Sequence, residues 1–412
     1  MDMKKTIDDI NVRGRRVFVR LDLNVPLDDT GCITDDRRIQ AALPSVKKLL
    51  ADGGRLILLS HLGRPDEEPE NKHKYSLRPV AERLTQLLGT SVPLLPDCVG
   101  PEVAAQVARM HDGEAVLLEN LRFHEAETIK DKKAIQNPKL REQKDAFARQ
   151  LASLADMYVN DAFGTCHRDN ASMFTVPQMM AGKPRVVGYL VQRELKFLGE
   201  TVSNPKRPFV CVLGGAKVSD KLGVIRSLLA KCDTILIGGA MAYTFLAADG
   251  MGVGKSLVEP DLYDTARQLR AEAGPKLRLP ADSIVASEIK AGGTTTVCTS
   301  FIPADKMGLD IGPATIKTYV EVVRTAKTVV WNGPMGVFEI PPFDQGTIAM
   351  AQAMADATQR GTITIVGGGD SAAAMDKAGL ADRITHISTG GGASLEFLEG
   401  KPFAVIDILD EA

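Results

Sequence analysis

The segment Gly214-Gly215-Ala216-Lys217-Val218-Ser219-Asp220-Lys221 gathers two glycines and two lysines after an apolar run. Glycine lacks a Cβ, so backbone N–H groups can approach phosphate oxygens closely, and a helix N-terminus adds positive potential. The segment is expected to open a helix, which would set Lys217 and Lys221 one turn apart on one face. Two ammonium groups beside a glycine turn suit a transferring phosphoryl group. A solvated lysine pair is the plain alternative. Gly238-Gly239-Ala240-Met241 and the run from Trp331 through Asn332, Gly333 and Pro334 to Glu339 close two further apolar stretches. Gly367-Gly368-Gly369-Asp370-Ser371 closes another and opens a helix. Asp370 there suits Mg²⁺, which keeps its waters and bridges phosphates through one or two carboxylates. Capping that helix is a compatible structural role for the same side chain.

The N-terminal half carries a different chemistry. Asp22 and Asn24 alternate onto one side of a strand end that Pro26 stops, and Arg37 and Arg38 open the next helix. His61 and Arg64, then Arg122, then His167 and Arg168 follow three more apolar runs. A guanidinium binds phosphate or carboxylate in a planar fork and stays charged. Several of them converging would repel one another unless an anion lay between them. Scattered surface salt bridges are the bland alternative, even for any single arginine and weaker for the set. Each histidine taken alone is more often structural, and neither is assigned as a general base.

These residues need elements to hold them. Apolar runs at 16–21, 55–60, 115–118, 157–159, 209–213, 234–237, 328–331 and 363–366 alternate with amphipathic stretches at 39–50, 78–88, 221–230 and 343–358. Short buried strands alternating with helices predict parallel α/β sheets. In open sheets of this kind ligands bind beyond the carboxyl ends of the strands, which is where the polar clusters fall. Residues 1–180 hold 15 Arg and 9 Gly, whereas residues 181–412 hold 10 Arg and 28 Gly. One half therefore offers guanidinium groups and the other offers bare backbone, a pairing that suits one small anionic substrate and one nucleotide.

At 412 residues the chain is too long for one ordinary core, so two domains of roughly 200 residues are expected. A boundary is expected near 175–200, where Gly182-Lys183-Pro184 precedes a helix at about 189–201 and Asn204-Pro205-Lys206-Arg207-Pro208 breaks the chain. That helix reads as a semi-rigid connector; an ordinary domain helix is the alternative. A net charge of -2 argues against a strongly basic nucleic-acid surface. Cys32, Cys98, Cys166, Cys211, Cys232 and Cys298 show no C-x-x-C spacing and read as reduced thiols of a cytosolic protein rather than a disulfide or zinc framework. Met1-Asp2-Met3-Lys4-Lys5 lacks an apolar signal stretch, and no run of about 18 apolar residues occurs, so no membrane span is expected. G-M-G-V-G-K-S at 250–256 imitates a phosphate loop, but Asp249 stands where that motif needs glycine. The glycine triplets are not G-x-G-x-x-G, which weakens a dinucleotide-binding reading.

Taken in order, RLDLNVP (20–26), SHLGRP (60–65), ENLRFH (119–124), NDAFGTCHR (160–168), GGAKVSDK (214–221), GGAMAYTF (238–245), WNGPMGVFE (331–339), GGGDSAAA (367–374) and STGGGASLE (388–396) resemble the phosphoglycerate kinase family. Nine motifs in sequence, covering nearly the whole chain, are far more specific than any one glycine cluster. The resemblance implies two Rossmann-like domains with parallel sheets, joined by a linker helix across a hinged cleft. Residues 1–180, rejoined by 396–412, would bind 3-phosphoglycerate or 1,3-bisphosphoglycerate through Asp22, Asn24, Arg38, His61, Arg64, Arg122 and Arg168. Residues 190–395 would bind MgADP or MgATP. Gly214, Gly215, Lys217, Lys221, Gly367, Gly368, Gly369 and Ser371 belong to that second site. Asn332 would lie near the phosphates, Glu339 would hold the ribose, Gly238 and Gly239 would border the adenine slot, and Asp370 would hold Mg²⁺. Arg38 rather than Arg37 is assigned because it immediately precedes Ile39, as in the family pattern. Cys166 and the Asp169-Asn170 pair depart from the pattern around Arg168, and the turn at 28–33 is slightly long.

The mechanism so implied is in-line transfer of an acyl phosphate without a phosphoenzyme, with Arg38, Lys217 and Lys221 as the catalytic cations. Substrates on separate domains would require closure, with hinges near Glu194 and at 388–390. A cytoplasmic monomer is implied, with no nucleic-acid or membrane partner. Three rivals are weaker. A non-catalytic nucleotide-binding scaffold would lack Lys217 or Asp370. A kinase for an unphosphorylated carboxylate would not need the guanidinium cluster. A dehydrogenase would carry the dinucleotide fingerprint.

Overall fold

Val17, Phe18 and Val19 are fully buried at the centre of Arg16–Leu21 (β1), and two neighbouring strands use both of its edges. A strand covered on both faces must be apolar throughout, which is why no in–out alternation appears here. The computed structural model describes residues 4–412; Met1, Asp2 and Met3, part of the N-terminal reading above, lie outside the described residues. By contact the chain divides into two units. One runs to Leu195 and is rejoined by Pro402–Ala412; the other is Lys196–Lys401. The division leaves residues 190–195 with the first unit and 396–401 with the second.

In the first unit, β1 is joined by Arg55–Leu59 (β2), Ala115–Leu117 (β3), Met157–Asp161 (β4) and Arg185–Val187 (β5) in the order β3-β2-β1-β4-β5, with every pair parallel. The chain steps outward from β1 to β3 and then crosses back to β4 on the other side. The crevice of such a sheet opens where the order reverses, between the carboxyl ends of β1 and β4. Leu21 pairs with Asp161, so those two ends are level. Val17, Val19 and Leu21 share one core with Ile39, Val46 and Leu49 of helix Arg37–Ala51 and with Val80 and Leu84 of helix Arg78–Leu88. Each such side chain contributes about 1.5–3 kcal/mol on burial, so the base of the crevice is rigid. The last residues tie back to this unit: Lys5 N–H donates to Asp410 O at 2.9 Å, and Asp410 N–H donates to Arg185 O at 2.8 Å.

The second unit repeats the plan. Phe209–Leu213 (β6), Thr234–Ile237 (β7), Leu277–Arg278 (β8), Thr328–Asn332 (β12), Ile363–Gly367 (β13) and His386–Ile387 (β14) form a parallel sheet in the order β14-β13-β12-β6-β7-β8. Its reversal lies between β6 and β12, where Leu213 pairs with Asn332. A small antiparallel sheet, Ser283–Ala286 (β9), Thr296–Cys298 (β10) and Met307–Ile311 (β11), is inserted ahead of β12. The expected connector is helical from Tyr189–Glu194, continues as a π-helical turn over Leu195–Glu200 and ends at Thr201–Ser203; the division between units falls inside it. Asp161, the last residue of β4, caps its start by accepting the N–H groups of Leu190 and Val191 at 2.8 and 3.1 Å. Burial pushes the Asp161 carboxyl up to about 6 despite those bonds.

Candidate functional site

Each sheet presents a polar cluster at its reversal point. In the first unit the centre is His61, which is 3% exposed. Burial, then the charges of Arg20, Arg122, Arg168 and Arg38, hold its imidazole well below the usual histidine range, so it is neutral. Arg20 Nη2 lies 3.3 Å from His61 Nδ1. A guanidinium can only donate, so Nδ1 is the acceptor and the ring proton sits on Nε2. His61 is thus a neutral donor amid four cations.

The guanidiniums are held individually. Arg38 Nη1 donates to Asp22 Oδ2 at 2.5 Å, and the Asp22 side chain is 6% exposed. Gly164 backs this pair so closely that a Cβ there would overlap the Asp22 carboxylate. Arg122 Nη1 donates to Gly63 O at 2.6 Å, while its Nε is buried without a hydrogen-bond partner among the described residues. Burial, Arg168 and Arg20 lower the Arg122 guanidinium to about 10. Asn24 Oδ1 accepts the Gly63 N–H at 2.8 Å, which fixes the loop after β2. Arg64 lies apart: it is exposed and paired with Glu67 at 2.8 Å.

Two functional residues escaped the sequence reading. Arg20 is fully buried and donates through Nε to Ser172 Oγ at 2.9 Å. Ser172 in turn donates through Oγ to Glu127 Oε1 at 2.7 Å, and its N–H donates to Glu127 Oε2 at 2.9 Å. Glu127 is fully buried and is the anion that balances the inner cations. A charge inside the strand Arg16–Leu21 was the available signal for Arg20. Glu127, on the turn Glu125–Thr128, carried none.

In the second unit the expectation for 214–221 needs correction. The helix begins at Leu222, not within the glycine segment, so Lys217 and Lys221 lie on a loop and share no helix face. Gly215 has φ of 112°, outside the helical region, and the Ser219 backbone and hydroxyl are engaged by Glu259 at 3.1 and 2.5 Å. The two lysines differ accordingly. Lys217 is exposed. Lys221 is 8% exposed and donates to Asn332 Oδ1. Burial lowers its ammonium to about 8, against the charges of Asp220 and Asp370, which raise it.

The amides of Gly214 and Gly215 also do something other than expected, and those of Gly238 and Gly239, expected at the edge of the adenine slot, share it. Gly214 N–H donates to Asn332 O, Gly215 N–H to Pro334 O, Gly238 N–H to Leu213 O and Gly239 N–H to Met335 O, at 2.8–3.0 Å. These amides are consumed in lacing together the loops after β6, β7 and β12. A Cβ on Gly214 would overlap the Pro334 carbonyl, and one on Gly239 would lie 2.5 Å from Gly215 N. Their role is close approach of backbone to backbone, not direct donation. Gly214→Ala is therefore expected to cost at least ~1–3 kcal/mol of stability, measured by urea denaturation. The open amides lie instead at helix Gly369–Lys377, whose first turn holds Asp370 and Ser371. Gly368, with φ of 92°, occupies the cap position, so Asp370 is exposed in the first turn and does not cap. Ser371 Oγ accepts the Gly333 N–H at 2.6 Å, and buried Asn332 Nδ2 has no partner among the described residues. Gly367 ends β13 and Glu339 is exposed on the loop after β12.

Comparison with known proteins finds relatives along nearly the whole chain. The family model for phosphoglycerate kinase matches residues 7–401. A phosphoglycerate kinase of Rhodopirellula baltica is 53% identical over 412 residues, covering 99% of this chain and 100% of that one. A wheat relative (Triticum aestivum), named a cytosolic phosphoglycerate kinase, is 50% identical over 411 residues, with 99% and 98% covered. The solved phosphoglycerate kinase of Coxiella burnetii superposes with a TM-score of 0.84 at 40% identity, covering 98% of each chain.

Proposed function

Because this chain belongs to the phosphoglycerate kinase family and so transfers phosphoryl groups between 1,3-bisphosphoglycerate with ADP and 3-phosphoglycerate with ATP, we propose that the guanidinium array of the first unit is its phosphoglycerate site and the lysine–glycine array of the second its nucleotide site. The observation that carries this is the surplus of cations around neutral His61, where Arg20, Arg38, Arg122 and Arg168 outnumber the counter-charges Asp22, Asp66 and Glu127. A phosphorylated carboxylate supplies the missing anion; its two anionic ends need more than one fork.

In this reading His61 Nε2–H, Arg122 and Arg168 orient the phosphoglycerate, and Arg20, tied through Ser172 to Glu127, sets the floor. Arg38 is left to serve the reacting end. In the second unit the first turn of helix Gly369–Lys377 offers its amides to phosphate oxygens, Asn332 Nδ2 gains a partner there, and Lys221 balances charge from below. Asp370, an exposed carboxylate beside those amides, fits a Mg²⁺ ion that keeps its waters and phosphate ligands. That ion would neutralise charge on the nucleotide phosphates. Lys217 is free to meet the transferring group. Since the arrays belong to separate units, transfer requires the units to close, with the connector at Glu194 and the turn at 388–390 as hinges. Closure excludes water, which would otherwise hydrolyse the acyl phosphate. A cytosolic monomer is inferred with this reading.

The test is a coupled assay with ATP, Mg²⁺ and 3-phosphoglycerate, following 1,3-bisphosphoglycerate through an NADH-dependent dehydrogenase. Magnesium-dependent NADH loss is expected, and glycerate without its phosphate should be nearly inert. Equal turnover of glycerate would refute the guanidinium assignment. Glu127→Gln keeps the shape but replaces one of the two oxygens that accept from Ser172 with an N–H donor, which loosens the anchor of Arg20, so KM for 3-phosphoglycerate should rise about tenfold, the equivalent of ~1.4 kcal/mol, with KM for ATP unmoved. A matching rise in both would make the effect a general loss of fold.

Lys221 gives a pH dependence. Its folded value of about 8 lies below the 10.5 of the free side chain. In the free protein it therefore loses its charge as pH rises through 8, and ADP affinity should fall about tenfold between pH 7 and 9. Lys221→Met should flatten that slope. The stability effect has the opposite sign. Between about 8 and 10.5 the unfolded chain binds more protons, so this group's contribution to stability rises with pH.

A further inference from the structure

Away from both arrays, three side chains with different donor atoms meet on the first unit. Asp97 and Cys98 lie just ahead of helix Pro101–Ala108, and His124 follows the turn Leu121–Phe123 that carries Arg122. A carboxylate oxygen of Asp97, Cys98 Sγ and a ring nitrogen of His124 all lie within 4.8 Å of one another. We propose that Asp97, Cys98 and His124 form a binding site for one divalent cation of the zinc class, with water as the fourth ligand.

The geometry is close to what such an ion needs. Bonds of about 2.0–2.3 Å in a tetrahedron set ligand atoms roughly 3.3–3.8 Å apart. His124 Nε2 and Asp97 Oδ1 now share a hydrogen bond at 2.5 Å, so the pair must part by only about 1 Å. Supporting contacts already fix the donors. Cys98 N–H donates to Asp97 Oδ1 at 2.6 Å, Cys98 Sγ donates to Glu119 O at 2.8 Å, and the His124 ring stacks on Phe147 with centroids 4.8 Å apart. Cys98 forms a fully buried floor, while the side chains of His124 and Asp97 are 28% and 49% exposed, leaving a solvent side for entry.

The donor set selects the metal. Thiolate with imidazole favours zinc-class ions over Mg²⁺ or Ca²⁺, which prefer oxygen alone. One carboxylate and one thiolate also balance a dication. The surrounding charge acts in the same direction. Asp97, Glu127 and Glu119 place negative charge around the Cys98 sulfur, with Lys72 opposing. The carboxylates that disfavour a bare thiolate favour a cation. Binding forms the metal–sulfur bond and releases the Cys98 proton to buffer, so affinity must rise with pH. An occupied site would pin the turn that carries Arg122.

The experiment is a Co²⁺ titration of the whole protein carrying Cys32→Ser and Cys298→Ser, the thiols that are not buried. The expected result is one equivalent of cobalt with a thiolate-to-metal charge-transfer band and tetrahedral visible absorption, displaced by Zn²⁺, with one proton released. Asp370 offers oxygen alone and gives no such band. Cys98→Ser should abolish the band, and Asp97→Ala or His124→Ala should weaken binding at least about tenfold. No band at excess cobalt, or a band that survives Cys98→Ser, would overturn the proposal. Should Cys98→Ser fail to fold, the two partly exposed positions decide it: unchanged affinity in both Asp97→Ala and His124→Ala refutes the site.

Discussion

Arg38→Ala is expected to lower kcat by roughly 10³-fold while moving ADP affinity by less than about twofold. The argument starts from which cations are already engaged. Arg20 is tied to Ser172 on the floor of the array, and Arg122 is held to the Gly63 carbonyl, where it faces the bound substrate rather than the reacting end. The Arg38 side chain is 33% exposed and is held by a nearly buried Asp22, for which the bare backbone of Gly164 leaves room. An oriented guanidinium with solvent on one side can add its charge to a phosphoryl group as that group's charge shifts in flight. Arginines in that position are worth 10³–10⁵ in phosphoryl transfer. Truncation also leaves Asp22 without its partner, so a stability loss must be separated from the chemical one. Arg38→Lys does this: it keeps a charge for Asp22 but loses the planar fork, and should recover stability while restoring only part of kcat. Steady-state rates beside an ADP titration settle the point. A variant with weak ADP binding and normal turnover would place Arg38 in the wrong site.

The strands were legible because burial on both faces leaves a short apolar run that loops do not imitate. Arg16–Leu21, Phe209–Leu213 and Thr234–Ile237 fall where the runs ended. The strands β9 to β11 were not legible: Thr296 and Val297 are exposed on the edge strand β10, and the more buried β9 and β11 carry Ser283, Gly308 and Asp310 within their short runs. The candidate site was legible wherever a residue type is costly to place. An arginine that opens a helix or follows a strand, or a glycine at a strand end, calls for a reason, and Arg38, Arg122 and Gly214 each have one. What stayed hidden was partnership. Nothing in the spacing tells that Glu127 answers Arg20 through Ser172, because that link joins residues more than a hundred positions apart. The glycines show a subtler failure. Their presence at the site was readable, but their N–H groups turned out to bind neighbouring loops. A missing side chain permits close approach without saying what approaches.

The same distinction separates the two lysines, and it carries the second large effect. Lys217→Ala should lower kcat by about 10²–10³ with stability unchanged within ~0.5 kcal/mol. Lys217 is exposed, on a loop whose shape is set by Gly214, Gly215 and the Glu259 bonds to Ser219 rather than by its own side chain. Deleting it should therefore leave the architecture in place and remove an exposed cation. Lys221 is the reverse case: buried, bonded to Asn332, and held near 8 by desolvation. Its loss should appear in nucleotide affinity and in the pH slope, because a buried ammonium acts on whatever phosphate is bound, reacting or not. An interaction made equally before and during transfer changes KM, whereas one made only during transfer changes kcat. Single-turnover rates with both substrates saturating isolate the second kind. If Lys217→Ala loses affinity and keeps its single-turnover rate, the roles of the two lysines are exchanged, and the buried one becomes the group that follows the phosphoryl in flight.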